Sequence, residues 1–280
     1  MPIVLYLTTD CNLNCEYCYE ANNREQLNKI LELDIASVKQ QMEESYKEEN
    51  RQGNCIVLFG GEPFLKFDLM KEIFELNKKF FNCYYCFAIT TNGTLITEEI
   101  LNEIKEYSKI MTISIGISYD GIGTYRRKYP NGESAESLIL DKIDLLENTD
   151  TPFGISYTIH KANCQMNSVI KDIVTMFEKY KNLNKIELSY YTAEIEDTIG
   201  NAQTYMIKLM DKLATVYRIY EKPICCAKLR TENNGHDSSA VCKLCKRCTV
   251  IDDRIYVTKN GIIKKGKYEN DKGFSQWTNE

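Results

Sequence analysis

The sequence reads Thr8-Thr9-Asp10-Cys11-Asn12-Leu13-Asn14-Cys15-Glu16-Tyr17-Cys18-Tyr19-Glu20 directly after its first short apolar run. Three thiolates on one such loop can hold three irons of a four-iron cluster and leave the fourth iron open. A closed zinc site needs a fourth ligand nearby, and neither His160 nor His236 is close in sequence. The stretch therefore predicts an open iron–sulfur site held by Cys11, Cys15 and Cys18.

Short segments rich in Ile, Val, Tyr and Thr alternate along the chain with longer segments of helical periodicity. The predicted strands are Ile3–Thr8, Cys55–Phe59, Phe87–Thr91, Thr112–Ser118, Gly154–Thr158 and Lys185–Tyr190. The predicted helices are Asp34–Glu48, Phe67–Phe80, Glu98–Tyr107, Ala135–Glu147, Asn167–Tyr180 and Ala202–Glu221. This alternation favours a parallel sheet covered by helices. Loops at the carboxyl ends of such strands carry the chemistry, and the cysteine loop is one of them.

The bulk composition limits the class of protein. Twelve cysteines in 280 residues, without a basic apolar secretory signal at the N-terminus, favour metal or redox use over a disulfide scaffold. No apolar run reaches 18 residues, so we expect a cytoplasmic protein without a membrane span. The net charge of −5 is uneven, because Lys222–Lys267 holds eleven basic against four acidic residues. That basic segment suggests an anionic peptide or nucleic acid partner, or serves only as counter-charge to an anionic cluster.

Three further motifs each follow a later predicted strand: Gly60-Gly61-Glu62-Pro63, Thr91-Asn92-Gly93 and Ser118-Tyr119-Asp120-Gly121. With the Cys-x3-Cys-x2-Cys loop and the aromatic residue before its third cysteine, they resemble the radical S-adenosylmethionine (SAM) superfamily, in that family's order. The resemblance covers about Ile3 to Tyr191 and implies an α/β fold, a partial (β/α)6 TIM-type barrel. It also implies a [4Fe–4S] cluster that binds SAM.

The resemblance implies a role for each matching residue. Cys11, Cys15 and Cys18 ligate the cluster, and Tyr17 packs near the adenine of SAM. The remaining residues line the SAM site: Gly60, Gly61, Glu62 and Pro63 at the methionine ammonium, and Thr91, Asn92, Ser118 and Asp120 at the ribose and carboxylate. Simple turn chemistry at Asn92-Gly93 and Asp120-Gly121 is the competing interpretation of those two side chains. The basic run Tyr125–Tyr129 is a candidate site for a substrate carboxylate or an acidic peptide.

A second group of cysteines lies near the C-terminus: Cys225, Cys226, Cys242, Cys245 and Cys248. The last three have ferredoxin-type spacing, and Cys225 or Cys226 can complete four ligands of an auxiliary [4Fe–4S] cluster. A structural zinc site is the alternative. The segment resembles the Cys-rich twitch or SPASM lobe of peptide-modifying radical SAM enzymes, although Gly266 stands where that pattern has a cysteine. We therefore predict a barrel over residues 1–222 and a twitch-like lobe over 223–280, with a hairpin turning at Asn260-Gly261.

The resemblance to SPASM/twitch-type peptide-modifying enzymes (RiPP maturases) implies a function. The expected enzyme cleaves SAM to a 5′-deoxyadenosyl radical and installs a thioether, a C–C cross-link or a related C–H modification in a ribosomal precursor peptide. The expected partners are SAM, the peptide and an electron donor such as flavodoxin or ferredoxin. Because the chain starts at its first strand, we expect any leader to be read by a separate leader-binding protein or by the basic C-terminal lobe. The alternatives are a small metabolite or RNA nucleoside as substrate, and a non-catalytic Fe–S or zinc protein.

Overall fold

The computed structural model of the chain describes residues 3–18, 33–47, 55–121, 126–190, 192–220, 222, 224–226, 253–258 and 261–267. The strands in these ranges are β1 Ile3–Thr8, β2 Cys55–Gly60, β3 Cys86–Thr91, β4 Ile113–Ser118, β5 Phe153–Ile159, β6 Leu183–Tyr190, β7 Ile224–Cys226, β8 Asp253–Thr258 and β9 Gly261–Lys267. The helices are α1 Ile35–Lys47, α2 Phe67–Phe81, α3 Glu98–Ser108, α4 Glu136–Asn148, α5 Met166–Lys179, α6 Thr192–Ile199 and α7 Ala202–Tyr220, with a 3-10 turn at Pro63–Lys66. All six predicted strands and six predicted helices are present, with ends shifted by at most two residues.

The chain divides into two compact units. The first comprises Met1–Ile115, Lys128–Glu133 and Ile251–Glu280, and the second comprises Gly116–Arg127 and Ser134–Val250. Strand β4 begins in the first unit and ends in the second. The predicted division between residues 222 and 223 stays a prediction.

The sheet of the first unit has the strand order β4-β3-β2-β1-β8-β9. Strand β1 lies inside this sheet, pairs in parallel with β2 and β8, and is buried at all six positions. On β2 and β3 buried residues alternate with half-buried ones, as expected when one sheet face packs against helices. The ring of Phe87 on β3, for example, lies 4.8 Å from that of Phe74 on α2. The first unit therefore holds the cysteine loop on a well-packed parallel sheet.

The predicted C-terminal hairpin is present, but its turn is shifted. Strands β8 and β9 pair antiparallel, and Gly261 is opposite Thr258 in this pairing. The connection is therefore residues 259–260, and the prediction of a turn at Asn260-Gly261 was wrong by one residue. The pairing of β8 with β1 was not predicted, because two strands at opposite ends of the sequence carry no local signal of contact.

The sheet of the second unit has the strand order β4-β5-β6-β7, and β5 pairs in parallel with β6 and β6 with β7. One sheet face is apolar and buried, with Ile155, Tyr157, Ile186 and Leu188 among its residues. Helix α5 packs on this face, since the Tyr157 hydroxyl donates a hydrogen bond of 2.9 Å to Asp172 of that helix. Within the described ranges, no helix is both long and apolar enough to cross a bilayer.

Candidate functional site

The cysteine loop, residues 9–18, follows β1 in the first unit. Cys11, Cys15 and Cys18 are half-buried on this loop, and none of the three forms a disulfide. A turn brings Cys18 back to Cys15, with the Cys18 amide donating to the Cys15 carbonyl at 3.1 Å. The side chain of Leu13 is 1% exposed and anchors the loop in the apolar interior. In the part of the chain that the structure describes, no three metal-binding side chains are gathered into a metal-site geometry. The role of the three thiols as cluster ligands therefore stays a prediction.

The surroundings of Cys11 suit a sulfur that carries negative charge. Its Sγ accepts hydrogen bonds from the backbone amide of Leu13 at 3.4 Å and from Nδ2 of Asn92 at 3.8 Å. Donors aimed at a sulfur stabilise the thiolate that iron requires as a ligand. The donor set fits an iron–sulfur cluster, because three cysteines outside disulfides share one short loop and one of them already accepts two N–H groups.

A closed ring of hydrogen bonds joins this loop to the end of β3. Asn12 Nδ2 donates to Thr94 Oγ1 at 2.8 Å, and that hydroxyl donates to Asn92 Oδ1 at 2.7 Å. Asn92 Nδ2 completes the ring by donating to Asn12 Oδ1 at 2.9 Å. Asn92 was predicted from its motif, whereas Asn12 and Thr94 were not, because contacts over 82 residues of sequence leave no local pattern. The ring fixes the residue next to Cys11.

The two glycines that follow β2 allow the cysteine loop to lie directly against the backbone. A Cβ atom on Gly60 would fall 2.3 Å from the Thr8 carbonyl oxygen, and one on Gly61 would fall 2.3 Å from that of Asp10. The Gly61 amide donates to Thr8 O and the Glu62 amide to Asp10 O, both at 2.8 Å. The motif therefore supports the start of the cysteine loop through its backbone, and its predicted contact with the methionine ammonium stays a prediction.

The Glu62 side chain is fully buried and joins the ends of β2 and β3. Its Oε1 accepts from the Phe64 amide at 3.0 Å and from Thr91 Oγ1 at 2.7 Å. Its Oε2 accepts from the Asn92 amide at 2.8 Å. The Glu62 carboxylate thus accepts three hydrogen bonds from within the chain. The resemblance implies that the same carboxylate contacts SAM. Pro63 starts the 3-10 turn beyond it, as its fixed φ angle favours.

The motif after β4 lies in the second unit. Ser118 is half-buried, whereas Asp120 is 1% exposed and forms an ion pair of 2.9 Å with Nη2 of Arg127. The Asp120 carbonyl accepts a hydrogen bond of 2.6 Å from Nδ2 of Asn163. Gly121, at a φ of 94°, leaves no room for a side chain, since a Cβ atom would lie 2.4 Å from the Tyr157 hydroxyl. Asp120 is therefore held by the half-buried Arg127 and the buried Asn163, and its contact with SAM stays a prediction.

The basic run is engaged by partners within the chain. Arg127 pairs with Asp120, and Nζ of Lys128 lies 2.5 Å from a carboxylate oxygen of Glu16 on the cysteine loop. The Lys128 carbonyl also accepts from the Asn14 amide at 2.7 Å. Arg127 and Lys128 thus have partners within the chain, and their contact with a substrate carboxylate stays a prediction. The sequence showed that both residues are positively charged, but it did not show which carboxylates they pair with.

Two tyrosines at the motif that follows β4, Tyr119 and Tyr157, are buried. Burial first, and then the neighbouring carboxylates, raise the pKa of Tyr119 and of Tyr157 well above that of an ordinary phenol. Both side chains therefore stay neutral at physiological pH. They pack the second unit beneath the motif and do not serve as bases.

The predicted auxiliary ligands lie mostly outside the described residues. Cys225 and Cys226 belong to β7, aligned with Glu187 and Leu188 of β6. Cys242, Cys245 and Cys248 fall outside the residues that the structure describes. The auxiliary [4Fe–4S] cluster and its zinc alternative both stay predictions. Tyr17 is half-buried beside Cys18, and its packing near adenine also stays a prediction.

The chain is similar to one protein family and to several known proteins. The family model described as the Radical SAM superfamily matches residues 5–162, more than half of the chain. An uncharacterised protein of Methanocaldococcus jannaschii is 37% identical over 164 residues, covering 58% of this chain and 54% of that protein. The Fe-coproporphyrin III synthase of Methanosarcina barkeri is 28% identical, over 63% of this chain and 40% of its own length. The cysteine-type anaerobic sulfatase-maturating enzyme of Clostridium novyi is 27% identical, over 55% and 42%.

The chain therefore spans about half the length, or less, of these curated relatives. Among solved structures, native anSMEcpe with bound AdoMet and the Cp18Cys peptide superposes with a TM-score of 0.67 at 16% identity. The superposition covers 92% of this chain and 71% of that one. This likeness confirms the predicted α/β partial-barrel fold.

Proposed function

The chain belongs to the radical SAM superfamily, and from this premise we propose that it cleaves SAM reductively and modifies a peptide substrate. The observation that carries the proposal is the joining of the cysteine loop to the ends of β2 and β3. The loop's carbonyls accept the Gly61 and Glu62 amides, while Asn92 contacts both Cys11 and Asn12. Three family motifs thus meet at the carboxyl ends of neighbouring parallel strands, where ligands of such folds bind.

The residues that would hold the cofactor are Cys11, Cys15 and Cys18. When bound, a [4Fe–4S] cluster supplies one electron from an external donor such as flavodoxin or ferredoxin. The chain's part is to fix the cysteine loop: Asn12, Asn92 and Thr94 hold its middle, and Gly60 and Gly61 hold its start. Preorganised groups of this kind lose no free energy on rearranging at the moment of reaction.

The proposed reaction conserves atoms and electrons. One electron enters SAM, its sulfur–C5′ bond breaks, and methionine and a 5′-deoxyadenosyl radical form. The radical takes one hydrogen atom from a substrate C–H bond and becomes 5′-deoxyadenosine. When the resulting carbon radical bonds to a thiol sulfur, one proton is released and one electron returns to the external electron carrier. A thioether forms, and SAM is the net two-electron oxidant of the peptide. Formation of a C–C cross-link likewise oxidises the peptide by two electrons in total.

A peptide substrate is supported by two relatives. One is a sulfatase-maturating enzyme by name, and the fold neighbour anSMEcpe was solved with a bound peptide.

A small metabolite is the second candidate, and the similarity to Fe-coproporphyrin III synthase favours it. An auxiliary cluster on the tail cysteines and a separate leader-binding protein belong to the peptide proposal. An RNA nucleoside substrate would show as salt-dependent tRNA binding.

The test uses the full chain, reconstituted anaerobically with iron and sulfide and supplied with SAM and dithionite. We expect 5′-deoxyadenosine and methionine in equal amounts by chromatography, and a loss of two mass units in one of the peptides encoded beside the gene. The Cys15→Ala variant should form no 5′-deoxyadenosine, whereas Cys83→Ala, a half-buried thiol away from the loop, should match the wild type. SAM cleavage without a mass change in any neighbouring peptide would favour the metabolite. Absence of SAM cleavage by a loaded protein would contradict the proposed activity itself.

A further inference from the structure

One face of the second unit's sheet is unusually polar. Ser156 and Thr158 on β5 are aligned with Glu187 and Ser189 on β6, and all four are half-buried. The hydroxyls of Thr158 and Ser189 lie 3.0 Å apart and form a hydrogen bond. These four residues make up the polar face.

Ordinary core packing does not account for the polar face. The opposite side of the same strands carries the fully buried Ile155, Ile186 and Leu188 and is covered by α5. Parallel strands are normally apolar on both sides, because helices or barrel layers cover both. In a complete barrel the inward positions are mostly Val, Ile and Leu. Small hydroxyl residues and a carboxylate in their place form a surface that offers hydrogen bonds instead of apolar contact.

Glu187 is the charged member of the polar face. It lies in the middle of β6, and among the described side chains none forms an ion pair or hydrogen bond with its carboxylate. Lys185 precedes it on the same side of the strand, but its alkyl chain packs over Gly154 and the residue is exposed. Keeping a half-buried carboxylate charged without a counter-charge costs free energy. A ligand that carries a positive charge recovers that free energy when it pairs with the carboxylate.

We propose that the polar face binds the peptide substrate through one cationic side chain, a lysine or arginine whose nitrogen pairs with Glu187. The charge of Glu187 selects a cation, and the flanking hydroxyls of Ser156, Thr158 and Ser189 accept the remaining N–H donors. Ser156, Thr158 and Ser189 are short and half-buried beside Glu187. This inference rests on the proposed peptide function and names the substrate feature that the second unit recognises.

The test measures binding of two short probes to the full reconstituted chain in the presence of SAM. Acetyl-Gly-Lys-Gly-amide carries the cation, and acetyl-Gly-norleucine-Gly-amide has nearly the same shape without it. Ligand-observed NMR gives both affinities. We expect about tenfold tighter binding of the lysine probe, the size of one charge-assisted hydrogen bond. Glu187→Gln should remove this preference and leave the norleucine probe unchanged. Glu196→Gln, an exposed glutamate on α6, is the matched control and should keep the preference.

The same samples separate failure of this inference from failure of the proposed function. If SAM is cleaved but wild type and Glu187→Gln bind both probes alike, the cationic site is wrong and the radical SAM activity stands. If SAM is not cleaved, the proposed activity is wrong, while a preference lost in Glu187→Gln still supports the cation site. Butylamine competing as strongly as the lysine probe would overturn the peptide as the source of the cation. An unchanged circular dichroism spectrum and unfolding midpoint would show that Glu187→Gln is folded.

Discussion

Asn92 is the residue that connects most of the candidate site. Its amide donates to Glu62, its side-chain nitrogen contacts Cys11 and Asn12, and its side-chain oxygen accepts from Thr94. The motif Thr91-Asn92-Gly93 allowed two interpretations, a turn or a site residue. The structure shows the turn, because the Asn92 oxygen also accepts from the Thr94 backbone amide. Its contact with SAM stays a prediction.

Replacing Asn92 by alanine should therefore have two effects. The free energy of unfolding should fall by about 1–3 kcal/mol, because Asn12 and Thr94 lose buried partners. The reconstituted cluster should also have a lower reduction potential, since one N–H donor to Cys11 is gone. Urea denaturation measures the first effect, and an EPR-monitored redox titration measures the second. Asn131→Ala, which removes an exposed amide contact to Glu133, serves as control and should change neither quantity. Equal results for both variants would refute the role of the ring.

At the scale of elements, the register between β2 and β3 places two cysteines side by side, although they lie far apart in the sequence. Cys55 starts β2, Cys86 starts β3, and the two are direct partners in the parallel pairing. A hydrogen bond from Cys55 is the main cause that lowers the pKa of Cys86 to about 7, against the opposing effect of partial burial. A pKa near 7 means that about half of the Cys86 thiols are ionised at neutral pH.

The alkylation rate of Cys86 by iodoacetamide should consequently rise with pH around a midpoint near 7. Cys55→Ala should move this midpoint upward toward that of an ordinary thiol, about 8.5. The ionisation of Cys86 also makes the stability of the fold depend on pH. Because the folded-state pKa is depressed, the contribution of Cys86 is full above the unfolded-state pKa and is lost as pH falls through 7. Peptide mapping by mass spectrometry follows the reaction, and a midpoint unaffected by Cys55→Ala would contradict the Cys55 hydrogen bond as the cause of the lowered pKa.

The elements themselves were largely predictable, and their partners were not. Alternating short apolar runs and helical periodicity identified six β/α units, because the two periods differ clearly. Helix α6 was missed because its eight residues make little more than two turns and begin only two positions after β6. The partners of Glu62 were missed for another reason: Thr91 and Asn92 lie 29 and 30 residues away, and only folding brings them together.

At the scale of the whole molecule, each compact unit contributes one kind of surface. The first unit holds the cysteine loop and the glycine motif on a packed parallel sheet. The second holds Asp120 in an ion pair and carries the polar face around Glu187. The family and fold follow from the motifs and are confirmed, whereas the substrate depends on contacts that no motif records. We therefore propose that the first unit holds the cluster, and that the second unit recognises the peptide in addition to the predicted SAM contacts of Ser118 and Asp120.

The measurement that tests the central claim most directly is the iron and sulfide content of the anaerobically reconstituted chain. The wild type is compared with the triple variant Cys11→Ala, Cys15→Ala and Cys18→Ala, with EPR of both after reduction. We predict about eight irons per wild-type chain and about four in the variant, since only the auxiliary cluster remains. The EPR change on adding SAM should occur in the wild type alone. Equal iron content in the two proteins, or a SAM-dependent signal that survives in the variant, would contradict the assignment of Cys11, Cys15 and Cys18.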